Sequence, residues 1–259
     1  MKNRYEIMFV IAFVIIVFAI TDTRNIFLGS IVNRGHDGYY VLDKYGDVYV
    51  SGNAKHRGEL GFDEEFAVDL EVVENGYYIL DKYGKIYTFG KAEFFGEANL
   101  DGTATDLEIL DDGYYILDSE GRVHDYGFID NYGERVNGKY VDIELSENGY
   151  YLLKQNGEIE FYGDAVSYGT ENIADAVDLE IVKDGYYVLN SKGYMYAFGK
   201  AKDLGYANAE NAVDLEVIPN FNGYYALECH GNVYSFEAFA GFYSPEYSEE
   251  CKYIDMELT

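Results

Sequence analysis

Six Asp-x-Glu pairs stand out among the residues that could do chemistry: Asp69 and Glu71, Asp106 and Glu108, Asp142 and Glu144, Asp178 and Glu180, Asp214 and Glu216, and Asp255 and Glu257. All are oxygen donors, the ligand type that a hard cation such as Ca2+ takes in sets of about six to eight. The same carboxylates could serve glycoside cleavage, but that chemistry needs only two acids and the repetition singles out no pair. An apolar residue separates the acids of each pair, so a strand would place both carboxylates on one face. Burying an unpaired carboxylate costs roughly several kcal/mol. Three compensations are open: a bound cation, hydrogen bonds from tyrosine hydroxyls and backbone N–H groups of neighbouring strands, or exposure to solvent.

Other reactive residues give less. His36, His56, His124 and His230 lack metal-ligand spacing, and no Ser/His or Cys/His nucleophile pattern or phosphate-cradling loop accompanies them. A non-enzymatic protein is therefore expected, with an exported glycan hydrolase or lyase using the paired acids as the alternative. Cys229 and Cys251 are the only cysteines; a disulfide between them and two free thiols both remain open. Asp43, Asp81 and Asp118 each begin a turn, where the carboxylate accepts from the backbone two residues on. Loop aromatics such as Phe94-Phe95 and Phe239 to Tyr243 are the candidates for stacking on sugars.

The elements that must position these residues repeat. Gly-Tyr-Tyr recurs at Gly38, Gly76, Gly113, Gly149, Gly185 and Gly223, and a second glycine follows eight residues later in every copy. Asn or Asp precedes each Gly-Tyr-Tyr, and Asn-Gly or Asp-Gly between alternating runs is a strong hairpin signal. Each unit thus predicts an Asp-x-Glu strand, a Tyr-Tyr strand such as Tyr77 to Asp81, and a third strand such as Lys85 to Phe89. A short fourth strand is expected around Glu93 to Gly96. Antiparallel units of this size are the blades of a propeller, giving an all-β, six-bladed β-propeller with blades of three to four strands. The first Gly-Tyr-Tyr has no Asp-x-Glu strand before it, while the chain ends on a spare one at Ile254 to Leu258. The C-terminal strand is therefore expected to close the first blade, with the acids ringing the axis. Ile26 to Val32 competes for the same place.

The pattern Gly-Tyr-Tyr-(Val/Ile)-Leu-Asp-x-x-Gly-x-(Val/Ile)-Tyr-x-Phe-Gly, best seen from Gly76 to Gly90 and from Gly185 to Gly199, resembles repeats of secreted or surface bacterial proteins. The likeness covers about residues 38 to 258. It implies propeller blades and export, and points to no particular activity. Departures are Glu237 for glycine, Lys154 and Asn190 for the turn Asp, and His124-Asp125 in the third strand of the third unit.

Composition narrows the partners. The chain of 259 residues carries a net charge of −28, with 29 Tyr and no Trp. That charge opposes nucleic acid, whose binding requires a basic face, and opposes docking on anionic lipid. Lys2 and Arg4 precede an uninterrupted apolar run from Ile7 to Ile20. As a helix it spans roughly 21 Å, short of a ~30 Å hydrocarbon core. It suits a signal peptide, cleaved after Val17-Phe18-Ala19, or a retained membrane anchor. Residues 1–25 are read as this segment with a short linker and 26–259 as the repeat domain. The function expected is an extracytoplasmic binding or scaffold propeller, secreted or membrane-anchored, for a protein or glycan partner. A cation-stabilised surface module, with Ca2+ on the Asp-x-Glu strands, is the rival.

Overall fold

The computed structural model describes residues 37–100, 102–133, 137–218, 223–238 and 243–259. The apolar run Ile7 to Ile20, the stretch Ile26 to Val32, His36 and most of the Phe239 to Tyr243 loop lie outside the described residues.

The repeat folds as six three-stranded antiparallel sheets. The inner strands are Ala67–Val73, Ala104–Leu110, Tyr140–Ser146, Ala176–Val182, Ala212–Ile218 and Tyr253–Leu258. The middle strands, Gly38–Asp43, Gly76–Asp81, Gly113–Asp118, Gly149–Lys154, Gly185–Asn190 and Gly223–Glu228, carry the Tyr-Tyr pairs. Outer strands run Val48–Gly52, Ile86–Gly90, Val123–Gly127, Ile159–Gly163, Met195–Gly199 and Val233–Phe236. No helix occurs among the described residues, so none there is long and apolar enough to cross a membrane.

Counted by Gly-Tyr-Tyr copy, blade one takes its inner strand from the far end of the chain. Tyr253–Leu258 pairs with Gly38–Asp43, with Tyr40 opposite Glu257 and Val41 opposite Met256. The same strand lies against the inner strands of blades two and six, so the inner strands form a closed ring. The disulfide Cys229–Cys251, with a Cα–Cα distance of 4.7 Å, ties the end of blade six's middle strand to the start of the closing strand. Backbone bonds from Lys252 and Tyr253 N–H to the Cys229 carbonyl, at 2.9 and 3.0 Å, run beside it.

The core is distributed between the blades. Tyr115, Leu117 and Val123 of blade three pack against Tyr140, Ile143, Tyr150 and Leu152 of blade four. Equivalent wedges fill the other gaps, including Tyr39, Val41 and Met256 against Ile218, Tyr225 and Leu227 across the closure. Every middle strand is buried along its whole length, which explains why Gly-Tyr-Tyr-Ile-Leu reads as a continuous run rather than an alternating one.

Two local expectations need correction. The hairpin turn between inner and middle strands in blade two is Glu74-Asn75, with Asn75 at φ 67°, and the glycine after it is already in the strand. Gly76 is there for space: a Cβ would stand 2.5 Å from the Phe89 carbonyl oxygen of the paired outer strand. The expected fourth strand around Glu93 to Gly96 does not form. Tyrosine hydroxyls hold that stretch instead. Tyr78 donates to the Glu93 carbonyl (2.7 Å) and accepts from the Glu93 N–H (3.0 Å). Tyr114, from the next blade, donates to the Gly96 carbonyl and accepts from the Phe95 and Gly96 N–H groups. With these backbone groups satisfied by side chains, no ladder is needed.

The turn aspartates close the hairpins between middle and outer strands. Asp81 Oδ1 accepts from the Tyr83 and Lys85 N–H groups at 2.8 and 3.0 Å, and the Tyr87 hydroxyl donates to Oδ2 at 3.3 Å. In blade four the charges are exchanged. Lys154 replaces the Asp, and its Nζ donates to Glu160 Oε1 at 2.8 Å, Glu160 standing where the other units carry a tyrosine or histidine.

Two tests follow from this arrangement. Deleting Tyr253–Thr259 leaves an unpaired edge on blade one, so the truncated chain is expected to unfold or oligomerise in size-exclusion chromatography and melting; a monomer of undiminished stability would refute the closure. Lys154→Asp alone should destabilise by on the order of 3 kcal/mol in denaturant unfolding, because it strips Glu160 of its cation, and adding Glu160→Tyr should recover most of that loss.

Candidate functional site: the axial carboxylate channel

The Asp-x-Glu acids, scattered over nearly 190 positions of sequence from Asp69 to Glu257, converge. All of them line one axial cavity of about 1180 Å3. A β-bulge in each inner strand aims them: the register shifts between Ala67 and Asp69, and again between Ala104 and Asp106, Ala176 and Asp178, and Ala212 and Asp214. Such a bulge bends the strand and re-aims the side chain after it. Asp and Glu, two residues apart at about 3.4 Å each, form two tiers about 7 Å apart along the strands. The Glu tier lies nearer the hairpins that lead into the middle strands.

Backbone N–H groups of the next blade supply most of the hydrogen bonds. Asp255 Oδ2 accepts from the Leu70 N–H at 2.9 Å and Asp106 Oδ2 from the Ile143 N–H at 2.7 Å. Asp142 accepts likewise from Leu179. In the Glu tier, Glu180 accepts from Val217 at 2.9 Å and Glu216 from Leu258 at 3.1 Å. Neighbouring inner strands share no ladder, and the acids bridge the gap between them. Of the two internal compensations read from sequence, the backbone one therefore operates. The tyrosines do not take part, since the middle strand carries their hydroxyls out to the loops beyond the outer strands. The signal that could have revealed the bridge is the period itself: several of these bonds join residues 37 apart.

The donors do not suffice. Oδ2 of Asp69, Asp178 and Asp214 is buried with no hydrogen-bond partner. Burial, the largest cause, raises the pKa of every one of these carboxyls, with repulsion among the neighbouring acids behind most of the rest. Asp106 is pushed up to about 6, Asp178 to about 7 and Glu216 to about 8, in each case with backbone N–H groups offsetting part of the effect. Asp142 faces both Asp106 and Asp178, and Glu216 faces Glu257, carboxyl against carboxyl. Facing carboxyls repel one another when both are ionised, which favours the protonated form beyond the effect of burial.

Other candidates fall elsewhere. His56 meets Glu59 at 3.2 Å, His124 meets Asp118 at 3.2 Å and His230 meets Glu228, three separate local pairs. Among the described residues no three His, Cys, Asp or Glu side chains form a ready-made metal cage. Of the Phe94-Phe95 pair, Phe95 packs edge-on against Tyr114 at 5.6 Å while Phe94 is exposed.

No family model and no curated protein matches the sequence. Similarity appears in three dimensions. A chain of the nidogen/laminin complex superposes with a TM-score of 0.60 at 10% identity, covering 85% of this chain and 97% of its own. The computationally designed Ika8 protein gives 0.52 at 11% identity, over 78% and 72% of the two chains. BBS1N, in complex with ARL6DN, gives 0.51 at 11% identity, over 81% and 77%.

The raised carboxyl pKa values fix the sign of the pH dependence. A group that holds its proton more tightly when folded contributes stability below its unfolded pKa, near 4, and that stability is lost as pH rises through the folded value. The melting temperature should therefore fall between about pH 5 and pH 8, opposite to ordinary acid denaturation, and Asp178→Asn should flatten the fall around pH 7. A melting temperature that rises over this interval would contradict the arrangement. Six sheets closed into a ring around one acid-lined axis, together with these superpositions, make the chain a β-propeller in fold.

Proposed function

We propose that this propeller is a non-enzymatic binding scaffold, carried outside the cytoplasm by its N-terminal segment, that holds a protein partner on its rim. The observation that carries the reading is a division of labour among residues. Those that recur are consumed in construction: the tyrosines clamp loops, the turn aspartates of the first three copies close hairpins and the Asp-x-Glu acids bridge blades. Exposed side chains that differ between copies are left for recognition. Phe128 follows the outer strand of blade three and is 94% exposed, where the corresponding positions carry Lys91, Asp164 and Lys200. Phe94, on the equivalent loop of blade two, is also exposed. A phenylalanine in water with no packing role is the kind of anchor that binding surfaces use.

The nidogen/laminin and BBS1N–ARL6DN structures are complexes, which accords with a propeller used as a docking platform. The apolar run Ile7 to Ile20 supports placement outside the cytoplasm. A glycan would use the same exposed rings for stacking.

A screen of the full chain against exported proteins and surface glycans tests the reading. A partner should emerge whose binding weakens by about 2 kcal/mol on Phe128→Ala, with the melting temperature unchanged. Binding that survives both Phe128→Ala and Phe94→Ala would move the site off this rim. Turnover of any glycan in the panel, abolished by Asp→Asn exchange in the channel, would replace the scaffold with an enzyme.

A further inference from the structure

We infer that the axial channel is a cation site, taking a hard divalent ion with part of its water shell onto the carboxylates of the Asp tier. An acidic lining alone would not carry this. Asp69 does: the residue is 8% exposed, it lines the channel, and its Oδ2 has no hydrogen-bond partner. Asp178 and Asp214 present the same orphan oxygen from two further blades. A buried carboxylate oxygen without a donor needs a proton or a positive charge beside it.

The charged groups facing Asp69 are Glu71 on its own strand and Asp255 and Asp106 on the strands that flank it, all acidic. The lysines that border the cavity, Lys91, Lys183, Lys200 and Lys202, belong to hairpin and outer-strand ends, away from the Asp tier. With only acidic groups facing it, the bare oxygen of Asp69 is left to a proton or an ion.

The donor set selects the ion. Oxygen-only carboxylates favour Ca2+ and Mg2+ over metals that prefer nitrogen or sulfur. Without a cage of three converging side chains among the described residues, and with about 1180 Å3 of cavity, the ion keeps waters and contacts the protein through one or two carboxylates at a time. Protons and the ion then compete for the same oxygens, so uptake strengthens as pH rises.

Titration calorimetry of the chelator-treated full chain with CaCl2 and with MgCl2, in physiological salt at pH 8, tests the site. The expected result is saturable uptake of at least one ion, a melting temperature raised by several degrees, and both effects largely lost at pH 5. Asp69→Asn should weaken binding about tenfold, equivalent to about 1.4 kcal/mol; Asp214→Asn serves as a second variant should the first fail to fold. Glu64→Gln, an exposed acid outside the channel, should bind as the native chain does. Non-saturable uptake, an equal loss in Glu64→Gln, or unchanged affinity in both channel variants would overturn the site and leave only screening of the −28 net charge. Binding of spermidine with no uptake of either metal would overturn it as well.

Discussion

The structure depends on the tyrosine hydroxyls of the middle strands. Each blade has only three strands, so its outer strand would present an open edge and the long return to the next inner strand would have no ladder to join. The two tyrosines of Gly-Tyr-Tyr resolve the second problem by satisfying the backbone of the return loops. The second reaches the return loop of its own blade, as Tyr151 does when it exchanges hydrogen bonds with the Val166 carbonyl and N–H at 3.0 and 2.9 Å. The first reaches the loop of the preceding blade, as Tyr77 does with the Gly58 carbonyl and the Arg57 N–H. The return loops of blades one to five are thereby each fastened to two blades at once. Their rings fill the wedge between blades, with Tyr115 and Tyr150 meeting edge-to-face at 5.3 Å. One residue type thus supplies packing, loop closure and inter-blade contact, which accounts for a chain rich in tyrosine and free of tryptophan.

The axial acids do the complementary task at the centre. Inner strands of neighbouring blades do not pair, and their free edges would leave N–H groups facing the channel. Carboxylates one blade away accept those bonds. The solution is imperfect, because the ring concentrates more negative charge than the N–H groups can neutralise. The same acids that join blades therefore have their pKa values pushed up by burial and by one another, and leave oxygens bare. A propeller built this way couples its own cohesion to the ionic conditions around it.

Local pattern made much of this legible. Alternation marked the inner strands, Asn-Gly and Asp-Gly marked the hairpins, and the spare Ile254 to Leu258 segment marked the closure. The failures were equally physical. A fourth strand looked reasonable around Glu93 to Gly96 because a return segment must satisfy its backbone, and nothing local reveals that a tyrosine from the next blade will do so. Gly76 was read as a turn residue when its lack of a side chain serves the paired outer strand. Lys154 departs from the repeat, and its partner Glu160 is six residues away on the outer strand.

Short-range pattern and exact recurrence carry the repeat, the strand periods, the turn chemistry and the identity of the closing strand, because these depend on residues a few positions apart or on repetition. The tertiary structure alone decided where the acids point, which of them lack a donor, and that the two cysteines meet. Those outcomes depend on a bulge in each inner strand and on curvature that brings Asp69 beside Asp255. Contact between residues so distant along the chain is a property of the closed ring, and no local pattern carries it.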